Sequence, residues 1–183
     1  MIAINKKFIF MASAVFFISG CAQMNGGQSL KTSQIGLAET MTAAEREQLK
    51  HEVSTIQDSI AECTRRELNT RDGKAINSQI LVLTENNPVA NKLLVSGQTL
   101  TNAQKMVLRR YIKQTDRCRS PAYQLKQEKL LAVYKRFFAG ADAVYADLLS
   151  GKSNIGAANQ RMQVLKVAAR GQWADAISAI NLY

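Results

Sequence analysis

The sequence predicts an all-α protein: an antiparallel helical bundle of three long helices plus shorter ones, preceded by a flexible tether. Three observations carry that expectation. Apolar residues recur at steps of three and four along most of the chain, which is the period of one helix face. Two capping boxes, Thr42-Ala43-Ala44-Glu45 and Thr101-Asn102-Ala103-Gln104, stand at the start of such stretches. Nowhere do apolar and polar residues alternate long enough, between turn dipeptides, to read as a strand.

The first helix follows Thr42, with Leu49, Val53, Ile56, Ile60 and Cys63 along one face and Asp72-Gly73 as the expected stop. Ala75 to Leu83 is apolar but short. Asn87-Pro88 reads as the start of another short piece, because Asn caps helices and Pro suits a first turn; Gly97 ends it. The second capping box opens a helix with Leu108, Tyr111, Thr115 and Cys118 on one side. Ser120-Pro121 is expected to stop that helix and start the next at once, since Pro cannot continue a helix and Ser can cap one. In the following helix Leu131, Tyr134, Phe138, Ala141, Tyr145 and Leu148 form the stripe, widened by Leu130, Phe137 and Val144, and Ser150-Gly151 closes it. The last helix, from about Ser153, buries Ile155, Ala158, Met162, Leu165, Ala169, Ala176 and Ile180, with Gly171 as a possible bend. Three long segments of matched length, each roughly 43 Å at 1.5 Å per residue, joined by short connections, favour antiparallel neighbours.

The chain has 183 residues, 46% of them apolar and 21% charged. That suits one folded domain with a tail and argues against disorder. No apolar run reaches the roughly 18 to 20 residues of a membrane-spanning helix, which excludes a multi-pass membrane protein.

The amino-terminal residues carry the most specific signal. Lys6 and Lys7 precede the eleven-residue apolar run Phe8 to Ile18, the length of a secretory leader's apolar core. The run meets Ile18-Ser19-Gly20-Cys21. This stretch resembles the lipobox of bacterial lipoproteins, in which an aliphatic residue, two small residues and a Cys are read together. The resemblance covers about the first 21 positions. It implies a diacylglyceryl thioether (palmitate-type acylation) on Cys21, cleavage before that residue and acylation of the new amino terminus. Two or more acyl chains hold a protein firmly, at roughly 0.8 kcal/mol per buried methylene. In the family an Asp after the Cys tends to retain the protein on the inner membrane. Ala22 stands there, so the resemblance implies a lipid-anchored envelope protein on the outer membrane, facing the periplasm. Residues 1–20 are then the signal peptide, 21–40 the lipidated terminus and tether, and 41–183 the helical domain. The nineteen residues Ala22 to Thr40 are rich in Gln, Gly, Ser, Thr and Asn, with an r.m.s. span of roughly 24 Å as a coil.

Cys63 and Cys118 remain. Both fall on apolar stripes, and an oxidising compartment favours a disulfide between them. It would close a loop of 55 residues, stabilising by about 4 kcal/mol on the chain-entropy argument. Two buried thiols acting as small hydrophobes, or a redox pair activated by Arg65, Arg66, Arg117 and Arg119, are the alternatives. Two Cys and one distant His, His51, do not make a zinc ligand set, and no metal or other cofactor is expected.

The formal net charge is +10. Its excess, beyond the two leader lysines, sits in residues 101–136, which hold ten basic and two acidic side chains. Lys105, Arg109, Arg110, Lys113 and Arg117 lie opposite the apolar stripe of one helix, and Lys126, Lys129 and Arg136 do so on the next. If these helices are neighbours they form a basic face. It is either a solvated outer surface or a binding surface for an anionic partner such as lipid head groups, an envelope polymer or an acidic protein. Nucleic acid is not an expected partner, because no recognition module accompanies the charge. Tyr123, Tyr134 and Tyr145 recur every eleven residues, as a core row or an aromatic groove.

No nucleophile elbow, phosphate loop or metal cluster is present, so no catalytic residues are assigned and an enzyme is not expected. The leading expectation is a non-catalytic binding or assembly module. Its architecture is similar to that of the secretin pilotins, small helical lipoproteins with an internal disulfide, although no pilotin motif is matched. The alternative is a structural lipoprotein that grips an anionic envelope polymer or head groups through the basic 101–136 face.

Overall fold

Thr42 opens the first helix as the sequence requires: its hydroxyl accepts from the Glu45 amide while the Glu45 carboxylate accepts from the Thr42 amide. The structure, a computed structural model, describes residues 41–182. The leader, Cys21 and the expected tether lie outside the described residues. Helix α1 spans Ala43–Leu68, α2 Arg71–Gln79, α3 Ala90–Leu94, α4 Asn102–Asp116, α5 Glu128–Ser150 and α6 Ile155–Ala179, with a 3-10 helix, Arg117–Gln124, between α4 and α5. Among the described residues there is no strand. The protein is an all-α bundle, and α1, α5 and α6 are its three long helices, at 26, 23 and 25 residues.

Helices α5 and α6 form an antiparallel hairpin. Gly151 adopts the left-handed conformation (φ 78°) that ends α5, and Asn154 caps α6 through a 2.8 Å bond from the Ala157 amide. Contacts along the pair run in opposite directions: Asp147 meets Arg161, Leu165 packs over Gly140, and Arg136 bonds Gln172. Two apolar clusters lie against this hairpin. One joins Ile76, Ile80 and Leu81 to Leu108 and Tyr111 of α4, Val144 and Leu148 of α5, and Ile155 and Met162 of α6. The other joins Leu49, Val53, Ile56 and Ile60 of α1 to Ala122, Leu125, Leu130, Val133 and Trp173. The expected α1 stripe is buried from Leu49 to Ile60. In α5 the burial centres on Leu130, Val133, Ala141, Val144 and Leu148, with Leu131, Tyr134, Phe138 and Tyr145 partly exposed, and in α6 Trp173 joins the core.

Three boundaries differ from expectation. Asp72-Gly73 does not stop a helix but lies in the first turn of α2, capped by the Thr70 hydroxyl through a 3.0 Å bond from the Gly73 amide. Gly73 is there because α2 folds back against the end of α1: a Cβ on it would stand 2.1 Å from the Glu67 carbonyl oxygen. Ser120-Pro121 does not separate two α-helices, since both residues lie within the 3-10 helix. That segment turns Cys118, Ala122 and Leu125 inward, and α5 starts only at Glu128 with Gln127 as its cap. The three long helices are accordingly shorter than the expected 43 Å, about 35 to 39 Å at 1.5 Å per residue. Asn87 does not cap a helix: its side chain accepts from the Val89 amide at 2.9 Å and closes a local turn, and α3 begins at Ala90 with Val89 as its cap position. Asn87 is buried because its amide also donates to Asn77, fixing the loop to α2. Helix α6 runs through Gly171 without interruption.

Asn159 fastens the 80–82 segment to α6. Its Nδ2 donates to the carbonyls of Ile80 and Ile155, both at 2.8 Å, and its Oδ1 accepts from the Val82 amide at 2.7 Å. A buried amide satisfied in this way costs little, whereas an apolar residue would leave two backbone groups unpaired.

Gly73→Ala is expected to lower stability by about 2–3 kcal/mol, because the conflict is with backbone that cannot step aside. Gly97→Ala, where an added Cβ meets nothing within 4 Å, is expected to stay within about 0.5 kcal/mol. Urea unfolding of both variants is the check.

Candidate functional site

Cys63 and Cys118 are joined, with Cα atoms 5.4 Å apart, inside the range a disulfide spans without moving backbone. Both had to face inward for this. Cys63 continues the Val53–Ile56–Ile60 stripe of α1, and Cys118 points from the 3-10 helix into the same seam. One turn along α1, Glu67 is 1% exposed and accepts from the Arg117 guanidinium at 2.5 Å. Residues 63 and 67 of α1 therefore hold 118 and 117 of the partner segment, a covalent tie beside an ionic one. A buried carboxylate needs such a donor, since unpaired it would carry its full desolvation penalty. Sequence reasoning missed Glu67. It follows Arg65-Arg66 on a helix and gave no sign of lying inside.

The basic residues of 101–136 divide into several roles. Arg110 makes a two-pronged pair with Asp72, both bonds 2.8 Å, and that hydrogen-bonded guanidinium holds the Asp72 carboxyl below the usual carboxylate range. Arg117 serves Glu67. Arg119 pairs with Asp142 and lies 5.1 Å from the centre of the Phe138 ring, a cation–π contact. Arg136 donates to Gln172 at 2.9 Å. Arg109 and Lys113 project from the exposed side of α4, with Lys105 half-buried beside them, and the three make no ion pair among the described residues. Lys126 and Lys129 are likewise exposed at the start of α5.

Helix α4 packs on α2 and the 3-10 helix and touches α5 only lightly. Its buried Leu108 and Tyr111 belong to one apolar cluster, whereas Leu130 and Val133, beside Lys126, Lys129 and Arg136, belong to the other. The adjacency on which a continuous basic face depended is therefore slight, since α4 packs chiefly on α2 and the 3-10 helix.

The tyrosine row is also broken up. Tyr123 is on the 3-10 helix and 53% exposed, so it is not in line with the other two. Tyr134 stacks on Phe138 at 5.8 Å and meets the Trp173 edge at 5.4 Å. Burial pushes the phenols of Tyr134 and Tyr145 up to about 12, as expected of core tyrosines. His51 is exposed.

A cleft of about 710 Å³ lies between α2 and α4, with the Asp72–Arg110 pair, Arg71 and Gln114 in its wall. The Gln114 Oε1 is buried without a hydrogen-bond partner. Among the described residues, no group of three or more His, Cys, Asp or Glu is placed to hold a metal ion, and no helix is long and apolar enough to cross a membrane. No protein-family model matches this chain, and neither a curated protein nor a solved structure is significantly similar to it.

Arg117→Ala is expected to destabilise the protein by about 1 kcal/mol. It leaves the buried Glu67 without its cation, and solvent around Arg117, 63% exposed, keeps the loss small. Arg109→Ala, which removes no pair, is expected to change stability by less than about 0.5 kcal/mol. Denaturant titration of both variants separates the structural arginine from the free one.

Proposed function

We propose that the chain is a lipid-anchored envelope protein whose helical domain is a non-catalytic binding or assembly module. The observation that carries this reading is the run Lys6-Lys7, eleven apolar residues, then Ile18-Ser19-Gly20-Cys21, with a Gly- and Gln-rich stretch before the first capping box. The Cys21 thiol takes the diacylglyceryl group, the leader leaves, and the freed amino group is acylated. Two or more chains anchor a protein stably, where a single chain would hold it only reversibly. With Ala22 after the Cys, the outer membrane is the destination and the periplasm the compartment that the domain faces. That compartment suits the Cys63–Cys118 bond, since disulfides persist where thiols are oxidised. The partner in this reading is another envelope protein, carried or held in the manner of a pilotin.

A second reading draws support from α4. Arg109 and Lys113 project from its exposed side, with Lys105 beside them, and no carboxylate among the described residues neutralises them. A phosphate-bearing envelope polymer, or anionic head groups, would find there a set of unpaired donors.

Mass spectrometry of the protein taken from its own membranes tests the anchor. The expected species begins at Cys21 and carries the added mass of three acyl chains with glycerol, and Cys21→Ser leaves an uncleaved, unlipidated precursor. A wild-type protein retaining residues 1–20 without lipid would overturn the reading.

Salt separates the two classes of partner. Retention of the protein by an anionic polymer should weaken steeply from low to moderate ionic strength and vanish when Lys105, Arg109 and Lys113 are all changed to Glu. Capture of a protein partner through apolar contacts should survive both treatments.

A further inference from the structure

Helix α6 is apolar on two sides, and the fold buries only one of them. Its inner side carries Ile155, Met162 and Trp173. On the far side Val164 is 67% exposed, and Val167, at the edge, is 66% exposed, with Ala168, Gly171 and Ala174 beside them in solvent. Helix α5 repeats the pattern. Ala139, Ala143 and Ala146 are exposed at steps of four and three, with Ser150 four residues on, on the side opposite the buried Leu130, Val144 and Leu148. Because the two helices are antiparallel neighbours, these stripes adjoin on the outer side of the hairpin, with Gln160, Arg161 and Asp175 also exposed among them. Exposed alanines alone would follow from helix propensity. Exposed valines do not, because a β-branched residue lowers it.

We infer that this outer face of the α5/α6 hairpin is a homodimer interface, covered by the same face of a second copy. Size and charge both select that occupant. Two helices some 35 Å long and spaced 8–10 Å apart present roughly 650 Å² per copy, or about 1,300 Å² buried in total, inside the range of stable interfaces. A twofold axis lays a surface on itself, so a surface of one sign repels its copy. The outer side of α4, with Arg109 and Lys113 exposed and in no ion pair among the described residues, is such a surface. The hairpin face is mixed: Arg161 already pairs with Asp147 across the two helices, and Arg136 and Asp175 line one shallow groove. Small side chains let helices from two copies approach closely, and Val164 supplies the knob.

Light scattering of the full chain in detergent, corrected for bound detergent, reads the stoichiometry. The wild type is expected at twice the single-chain mass, and the double variant Ala143→Glu/Val164→Glu at half the wild-type value with unchanged helical circular dichroism and melting temperature. Lys113→Glu on α4 is expected to keep the wild-type mass, which excludes a general effect of added negative charge. Val164→Lys alone, also expected to give the single-chain mass, serves if the double variant folds poorly. A wild type at single-chain mass would overturn the inference, and so would charged variants that fold and keep the double mass. Either result would hold whether or not Cys21 is lipidated.

Discussion

The contact between α5 and α6 is the constraint on which the rest depends, because among the described residues it is the one helix pair that belongs to both apolar clusters. Val144, Leu148, Ile155 and Met162 supply one, and Leu130, Val133, Ala169 and Trp173 the other. Neither α1 nor the α2–α4 group could bury its stripe against the other alone. A helix of this length depends on tertiary burial more than on its own propensity. The turn that aligns the pair rests on Gly151 in the left-handed region and on the Asn154 cap. With that hairpin set, the positions of α1 and α4 follow from which half of it their apolar residues match.

The cross-link between α1 and the 3-10 helix answers a different problem. Residues 69–116 run from the end of α1 through three helices and back, and a loop of that length costs entropy to close. Cys63–Cys118 removes much of that freedom from the unfolded chain, and Glu67–Arg117 sits directly beside it. The Gly73 backbone then lies against the Glu67 carbonyl, so α2 leaves α1 at a sharp angle at the same point. Covalent bond, buried carboxylate and side-chain-free glycine thus converge within about one helical turn.

Periodicity and capping made most of this fold legible. The stripe of α1, Leu108 and Tyr111 of α4, both capping boxes and the pairing of the two cysteines follow from spacing alone, because a helix places residues by angle. Boundaries governed by long-range contact were not legible. Gly73 reads as a stop because nothing local distinguishes a helix-ending glycine from one that must lie against the backbone of the preceding helix. Ser120-Pro121 reads as a junction of α-helices, whereas the pull of Cys118, Ala122 and Leu125 toward α1 makes the segment a 3-10 turn. The ion pairs of the basic segment were hidden for the same reason. Ten cations counted along the chain do not reveal that Arg110, Arg117 and Arg119 are each held by a carboxylate from 23 to 50 residues away. The second apolar side of α6 was visible, by contrast, as Val164 and Val167 off the buried stripe, but a search for one stripe per helix passes over it.

Two kinds of surface remain after the core is accounted for, and they place opposite demands on a partner. The outer side of α4 holds Arg109 and Lys113, which make no ion pair among the described residues, so its attraction depends on ionic strength and is broad in specificity. The outer side of α5 and α6 holds methyl groups over a shallow relief, so its attraction is short-ranged and depends on shape. A chain with a strong positive excess would avoid its own copies if all its surfaces were alike. Confining the excess largely to α4 and the segment after it leaves the hairpin face, with charges of both signs, as the place where two copies can meet. Pairing there would bury the apolar face and leave both α4 surfaces open, so dimerisation would double the cations offered to an anionic partner without masking any of them. Two weak attachments to one polymer gain from the high effective concentration of the second once the first is made. Charge on one side and methyl groups on the other therefore need not compete. In this arrangement the apolar face sets how many basic surfaces act together.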